Sequence, residues 1–142
     1  MTPHRPRVPH TAVLLLAWLA VTGAAASDWQ RYGRGYENQR FSDLAQINRE
    51  NVAELVPAWS VHTGRIGSFQ ATPIVRDGIM YVSTAWNDVL ALDAATGEQR
   101  WRYVHEPTTT ETCCGPANRG VAVDAERVYL TTIRSEEHTS EL

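Results

Sequence analysis

The sequence predicts an all-β fold made from the blades of a β-propeller, and three observations lead to that prediction. Short stretches of alternating apolar residues are separated by turn signals at regular spacing. The stretch 75–84 resembles the stretch 123–132, which follows it at the blade length of roughly 40 to 50 residues. Trp59 precedes Trp101 by a similar interval, where it would end the outer strand of the blade that closes the ring. The chain is therefore predicted to hold one complete blade and the start of a second.

The complete blade is predicted to have four strands in up-and-down order. Asp77-Gly78 is a dipeptide favoured in two-residue hairpin turns, and Asn87-Asp88 marks a second turn. A third turn begins at Asp93. The strands joined by these turns are predicted at residues 72–76, 79–84, 89–92 and 98–104.

The segment before this blade is predicted to contain a short helix over residues 49–55. Asn48 would cap the helix, Pro57 would end it, and Val52 and Leu55 would lie on its packed face. The aromatic side chains further upstream are predicted to pack on the propeller rather than to bind a ligand; they are Trp29, Tyr32, Tyr36 and Phe41.

Residues 1–26 have the features of an export signal. Arg5 and Arg7 supply a positive start, an apolar run follows, and residues 24–26 are alanines that suit a cleavage site. The apolar run is shorter than the about 20 residues of a membrane span, and no stable membrane anchor is evident. Pro6 separates the two arginines, which does not support a twin-arginine signal. We expect Sec-type export to a bacterial periplasm.

Residues 134–142 follow Ile133 without any apolar alternation. One codon choice for them reproduces a standard high-throughput sequencing adapter. We therefore expect a non-native tail, no role for His138, and a true protein that continues beyond Ile133. A genuine polar tail is the alternative.

The overall charge gives no basic face for nucleic acid. The chain has 13 Lys plus Arg against 16 Asp plus Glu, a net charge of −3. We expect no nucleic-acid partner.

The two cysteines of the chain, Cys113 and Cys114, are adjacent. Export favours their oxidation to a vicinal disulfide, and closing such a small ring strains the backbone. A rigid sulfur surface of this kind suits stacking against a planar ligand. Two reduced thiols, half of a metal site and a bond to another chain remain as alternatives.

Several motifs together resemble the beginning of a pyrroloquinoline quinone (PQQ)-dependent alcohol dehydrogenase. The vicinal cysteines followed by Asn118-Arg119-Gly120 are the most specific. The stretch 91–101 resembles the tryptophan-docking motif of this eight-bladed propeller family. The other motifs are Asp28-Trp29, Tyr32-Gly33, 38–42, 46–48, Asn51-Val52, Ala58-Trp59, 71–73 and Asp77-Gly78.

The resemblance implies that residues 27–133 are the N-terminal part of a periplasmic quinoprotein that oxidises an alcohol to an aldehyde. PQQ would lie near the propeller axis beside a calcium or lanthanide ion, and electrons would pass to an acceptor such as a cytochrome c or a quinone. Cys113 and Cys114 would stack on the quinone, and Arg119 would pair with a carboxylate of the cofactor. Gln70 would also contact the cofactor, at the place where the better-known alcohol-oxidising members have a glutamate.

The catalytic and metal-binding residues of that family come from later blades, so none is expected in this chain. His62, Asp88 and Asp93 are interpreted as structural residues near a strand and in turns, and the chain alone should be inactive. The alternatives are a non-catalytic propeller scaffold of outer-membrane assembly, which has no need of a strained sulfur platform, and a PQQ-dependent sugar dehydrogenase.

Overall fold

The chain folds into two antiparallel β-sheets, which a computed structural model describes over residues 28–107, 112, 114–132 and 137–141. Helical structure in these residues is limited to short 3-10 turns at Val52–Glu54 and Ala85–Asn87, which confirms the all-β fold class. The strands are β1 (Ile74–Arg76), β2 (Ile79–Ser83), β3 (Val89–Asp93), β4 (Gln99–Tyr103), β5 (Ala122–Val123), β6 (Arg127–Thr131) and β7 (Glu137–Glu141).

The first sheet is the four-stranded meander of one propeller blade. Its order is β1-β2-β3-β4, and each strand is antiparallel to the next. Asp77 and Gly78 both have positive φ, 50° and 77°, as a tight hairpin turn requires. The second turn also uses positive φ, at Trp86 and Asn87. The predicted blade is therefore confirmed, with strand bounds within a few residues of those expected.

The main core lies between the two sheets. Tyr81, Val89 and Ala91 on one face of β2 and β3 pack against Val128 and Leu130 of β6. Strand β3 is buried on both faces, since successive side chains of a strand point to opposite sides and all its apolar residues are at most 3% exposed. Each blade therefore needs a neighbour to bury its apolar face.

Trp59 docks onto the turn between β3 and β4. Its indole Nε1 donates a hydrogen bond to the carbonyl oxygen of Ala94 at 3.2 Å. A Cβ atom added to Gly97 would lie 2.6 Å from Cδ2 of Trp59, so the ring lies directly on the glycine backbone. The turn is closed by Asp93, whose Oδ1 accepts hydrogen bonds from the backbone N–H groups of Ala95 and Thr96, both at 3.0 Å.

The carboxylate of Asp93 also holds the start of β4. A hydrogen bond from Arg100 at 2.7 Å, together with those from the turn backbone, lowers the pKa of Asp93 to about 2. Asp93 is therefore ionised at neutral pH and serves the turn, as the sequence indicated.

The predicted helix over residues 49–55 is wrong: one 3-10 turn, Val52–Glu54, forms instead. Asn48 Oδ1 accepts hydrogen bonds from the backbone N–H groups of Glu50 and Asn51, and Asn51 Oδ1 accepts one from that of Asn48. These local bonds satisfy the backbone in a turn conformation and so compete with a longer helix. Val52 and Leu55, the expected packed face, are 52% and 57% exposed.

The N-terminal segment is attached to the blade through its backbone. Trp29 and Val75 exchange N–H to carbonyl hydrogen bonds, both at 2.9 Å, along the edge of β1 that does not pair with β2. The rings of Tyr32, Tyr36 and Phe41 are more than half exposed in the described part of the chain. The segment thus lies on the blade as expected, through the backbone of Trp29, whereas these three rings are not packed on it.

A second hairpin repeats the first, as predicted. Tyr129 pairs with Ala122 in β5 and β6 as Tyr81 pairs with Ile74 in β1 and β2.

The segment Glu137–Glu141 forms strand β7 and pairs with the whole of β6, although the sequence showed no apolar alternation there. Backbone pairing with a strand edge does not require such alternation, and the origin of residues 134–142 stays a prediction. The proposed export signal lies outside the described residues. Among the described residues, no helix has the length and apolar character to cross a membrane.

Replacing Gly97 with alanine should separate the docking contact from backbone strain. Gly97 and Gly78 have nearly the same φ, 74° and 77°, but a Cβ at position 78 meets nothing within 4 Å. We expect Gly78→Ala to cost about 1–2 kcal/mol for the left-handed backbone. Gly97→Ala should cost a further ~1–3 kcal/mol because Trp59 is displaced. Guanidinium unfolding of the complete gene product measures both, and equal losses would contradict the docking contact.

Candidate functional site

A cavity of about 480 Å³ lies beside the blade and is lined by Gln70, Arg119 and Tyr32. The sequence predicted Gln70 and Arg119 as ligand-binding residues, and the structure brings them to the same cavity. Both side chains are exposed. Tyr32 was interpreted from the sequence as part of an aromatic cluster that packs on the propeller rather than binding a ligand, but it lines this cavity.

The cavity exists because the segments carrying Gln70 and Arg119 run side by side. The backbone N–H of Thr72 donates to the carbonyl oxygen of Arg119 at 3.5 Å. A Cβ atom on Gly120 would lie 3.3 Å from the carbonyl oxygen of Thr72, and Gly120 has a φ of 130°. Glycine therefore allows the close approach that sets Arg119 opposite the segment of Gln70.

Asn118 fixes the backbone next to Arg119. Its Nδ2 donates to Asn87 Oδ1 and to the carbonyl oxygen of Thr131, both at 2.9 Å. Its Oδ1 accepts from the hydroxyl of Ser83 at 2.7 Å and from the backbone N–H of Gly120 at 2.9 Å. Only 7% of the residue is exposed. Asn118 is the residue before Arg119. Its buried side-chain amide therefore connects β2, the turn after β2 and β6 to the backbone next to Arg119.

The residues just after the cysteines, Gly115 and Pro116, lie against the same region. The carbonyl oxygen of Pro116 accepts a hydrogen bond from the backbone N–H of Trp86 at 2.9 Å. A Cβ atom on Gly67 would meet Pro116 Cγ at 2.9 Å, so Pro116 also contacts the segment leading to Gln70. Cys114 is exposed. Cys113 lies outside the described residues, so the vicinal disulfide stays a prediction.

Asp88 forms a buried ion-pair cluster that sequence reasoning interpreted only as turn chemistry. Its side chain is 0% exposed. Arg65 donates to both carboxylate oxygens at 2.8 Å, and Arg102 donates to Oδ2 at 2.6 Å. The backbone N–H of His105 donates to Oδ1 at 3.1 Å. The cluster ties the segment before the blade to β4 and to the turn that holds Asn87.

The electrostatics of this cluster keep Asp88 ionised. Burial alone would raise the pKa of Asp88, but the hydrogen bonds from Arg65, Arg102 and the His105 backbone outweigh burial and lower it. The hydrogen bond to Asp88 likewise raises the pKa of Arg65. The carboxylate is saturated with donors and has a structural role.

His62 and Asp93, the other residues that could act as an acid or a base, also form hydrogen bonds with the backbone. His62 Nδ1 accepts a hydrogen bond from the backbone N–H of Gly64 at 3.3 Å. Within the described ranges, no group of three or more His, Cys, Asp and Glu side chains converges on a point that could hold a metal ion.

Replacing Asn118 with aspartate should break the link between the sheets. The carboxylate keeps the acceptor but loses both N–H donors, which leaves Asn87 Oδ1 and the Thr131 carbonyl without their partner. We expect a loss of about 2–3 kcal/mol in unfolding free energy. Asn48→Asp is the matched control, because Asn48 uses its Oδ1 as an acceptor on an exposed turn. An Asn118→Asp variant as stable as this control would contradict the assigned network.

Replacing Asp88 with asparagine should leave two guanidinium groups without their counter-charge. Arg65 and Arg102 are 31% and 28% exposed, so we expect a loss of about 2–4 kcal/mol, less than for a fully buried pair. Since the folded-state pKa of Asp88 is lowered, its contribution is present at neutral pH and is lost as the pH falls through that pKa. Chemical unfolding across pH should show a weaker acid dependence in Asp88→Asn than in the wild type, and the dependence that remains comes from carboxylates such as Asp93 and Asp124, whose pKa values are also lowered.

The control for this experiment is Asp77→Asn, since the side chain of Asp77 is 85% exposed and faces Arg76 at 3.4 Å. A surface pair of this kind should change stability by less than about 0.5 kcal/mol. If Asp88→Asn behaves like this control, the buried cluster does not stabilise the fold.

Comparison with known proteins places the chain in a family. The family model described as "Glucose/ethanol/alcohol dehydrogenase, beta-propeller domain", with the short name PQQ, matches residues 29–136. A quinohemoprotein alcohol dehydrogenase of Pseudomonas putida is 39% identical over 120 residues, which cover 82% of this chain and 17% of that protein. The chain thus spans about one sixth of the length of such relatives.

Solved structures agree in fold. The crystal structure of quinohemoprotein alcohol dehydrogenase from Comamonas testosteroni matches with a TM-score of 0.61 at 37% identity, covering 77% of this chain and 17% of that one. A europium-containing methanol dehydrogenase matches with a TM-score of 0.67 at 30% identity, covering 81% of this chain and 23% of that one. Together with the docked tryptophan and the four-stranded blade, these matches show that the chain belongs to the β-propeller family of PQQ-type glucose, ethanol and alcohol dehydrogenases.

Proposed function

We propose that this chain is the N-terminal, cofactor-binding part of an exported PQQ-dependent dehydrogenase that oxidises an alcohol to an aldehyde. The observation that carries the proposal is the shared cavity of Gln70 and Arg119. Electrons would leave to a periplasmic acceptor such as a cytochrome c or a quinone. The relatives that match the chain are quinoprotein and quinohemoprotein alcohol dehydrogenases, which supports this reaction class.

The cavity fits a planar anion such as PQQ, a quinone that carries carboxylates. Arg119 makes no ion pair with any described residue, so its guanidinium can accept an anionic ligand. A planar guanidinium binds a carboxylate through two parallel hydrogen bonds. The volume of about 480 Å³ lies within the range of small-molecule sites.

Gln70 lines the same cavity as Arg119 and carries no charge that would pair with the guanidinium in place of a ligand. A glutamate at this position would bring a carboxylate to the same cavity, where it would attract the guanidinium. The neutral amide of Gln70 leaves the full charge of Arg119 to the ligand, and it can donate and accept hydrogen bonds at the polar edge of a quinone. This arrangement supports cofactor binding more strongly than it supports any one substrate.

The residues of this chain would bind and orient the cofactor. When bound, PQQ supplies the two-electron acceptor for oxidation of the substrate. Arg119 and Gln70 would hold its polar edge. Gly115 and Pro116 lie against residues 67 and 68, and a disulfide between Cys113 and Cys114 just before them would offer a rigid surface to the ring. The calcium or lanthanide ion and the general base would come from chain beyond these residues.

Oxidation of a sugar is the second candidate, because the matching family includes glucose dehydrogenases. A cavity that brings an amide next to a guanidinium with no ion pair to any described residue favours either enzyme over a protein-binding scaffold, since a scaffold needs no such cavity.

The test is titration of the complete gene product, obtained by sequencing the source locus downstream of the Ile133 codon, with PQQ in the presence of calcium. Absorbance of the bound quinone reports the Kd. We expect Arg119→Ala to raise the Kd by about 10- to 100-fold, because a charge-assisted hydrogen-bond pair is lost. Arg119→Lys should lie between Arg119→Ala and wild type, because the ammonium keeps the charge but not the planar pair of donors.

Arg127→Ala is the matched control. Arg127 is an exposed arginine at the start of β6. The end of β6 nearer the site is Thr131, which contacts Asn118. The Kd of Arg127→Ala should equal that of the wild type. Failure of the wild-type protein to bind PQQ would overturn the proposed function, and unchanged binding by Arg119→Ala would remove Arg119 from the site.

A further inference from the structure

We propose that Tyr32 is a third ligand-binding residue, whose ring closes the cavity over the cofactor held by Arg119 and Gln70. This inference rests on the proposed function. Its basis is the position of Tyr32 in the wall of the same cavity, on a segment that comes nearly forty residues before Gln70 in the chain.

The segment that carries Tyr32 is anchored close to the site. Trp29 exchanges two backbone hydrogen bonds of 2.9 Å with Val75 in β1. Asp28 Oδ1 accepts a hydrogen bond from the backbone N–H of Asp77 at 3.1 Å. Tyr32 follows this double attachment by three residues, so its backbone cannot move far from the blade.

Beyond the anchor, the segment folds back on itself and orients the ring. The backbone N–H of Arg40 donates to the carbonyl oxygen of Gly33 at 3.1 Å. Gly33 lies so close to Asn38 that a Cβ atom there would overlap its side chain. The guanidinium carbon of Arg40 lies 4.6 Å from the centroid of the Tyr32 ring. A cation over the ring favours this orientation of Tyr32, in which the residue lines the cavity.

The exposure of Tyr32 also points to a ligand. The residue is 61% exposed although it lines a cavity of about 480 Å³. Aromatic rings bury a large apolar surface when they contact a planar ligand, and they do so at a low cost in conformational entropy. A bound quinone would cover this surface and exclude water from the ion pair at Arg119, which strengthens that pair.

Tyr36 is a matched control on the same segment. It is 84% exposed, and its ring and hydroxyl contact Arg31 rather than the cavity. Both tyrosines thus pair with an arginine on the surface, and they differ in whether they line the site.

The experiment compares PQQ binding by the complete wild-type protein with that of Tyr32→Ala, Tyr32→Phe and Tyr36→Ala. We expect Tyr32→Ala to raise the Kd by about tenfold, mainly through faster dissociation, because a ring contact is removed. Tyr32→Phe keeps the ring and should stay within about twofold of wild type, as should Tyr36→Ala. Thermal unfolding of the cofactor-free variants checks that each is folded.

A second readout needs no substitution. Nitration by tetranitromethane, followed by mass spectrometry, should modify Tyr32 and Tyr36 in the cofactor-free protein, and PQQ should protect Tyr32 alone. The proposal is overturned if Tyr32→Ala binds PQQ as tightly as Tyr36→Ala, or if PQQ leaves nitration of Tyr32 unchanged. In either case, tight binding by the wild type would leave the proposed function intact, whereas absence of wild-type binding would overturn that function itself.

Discussion

The buried amide of Asn118 is the interaction on which the rest of the structure depends. Its four hydrogen bonds join the end of β2, the turn before β3 and the end of β6, and the next residue is Arg119. A buried amide that satisfies two donors and two acceptors tolerates little displacement, because each unmade bond costs the desolvation of its partner. The packing of the two sheets and the position of the candidate ligand residue therefore share one constraint.

The turn at residues 84–88 also carries a second buried polar side chain, the carboxylate of Asp88, which lies next to Asn87. Asn87 faces Asn118, while Asp88 faces Arg65 and Arg102. Trp86 and Asn87 have positive φ, which is uncommon for residues other than glycine. The hydrogen bonds on both sides stabilise that conformation. The hydrogen bond from Asn118 to Asn87 therefore stabilises this strained turn, and the same Asn118 side chain fixes the backbone next to Arg119.

Local chemistry explains which parts of the fold could be predicted from the sequence. The turns at Asp77-Gly78 and at Asp93 were predictable because their determinants are adjacent residues with fixed backbone preferences. The pairing of Asp88 with Arg65 was not, because 23 residues separate the partners and many arginines could have served. The helix after Asn48 was wrong because periodicity alone does not weigh the competing side-chain bonds of Asn48 and Asn51.

The residues of the candidate site also differ in whether the sequence could predict them. Arg119 and Gln70 were found through motifs that resemble a known family, and the structure adds the cavity that they share. Tyr32 was assigned to propeller packing instead, because its position at the cavity depends on a backbone bridge between Trp29 and Val75 that the side-chain pattern does not reveal. Strand β7 was missed for a related reason, since pairing along an open edge depends on the backbone rather than on residue type.

The docking of Trp59 has a consequence for how such a protein is made. Only 35 residues separate the indole from the carbonyl group that it contacts, so the contact can form as soon as Gly97 has emerged from the ribosome. Short sequence separation favours early contacts during folding. A ring of blades joined by contacts of this length can be assembled in order from its first residue onward, and each finished blade would offer a template to the next. Until the last blade closes the ring, the growing chain would then expose two apolar blade faces, one at each end of the row of finished blades.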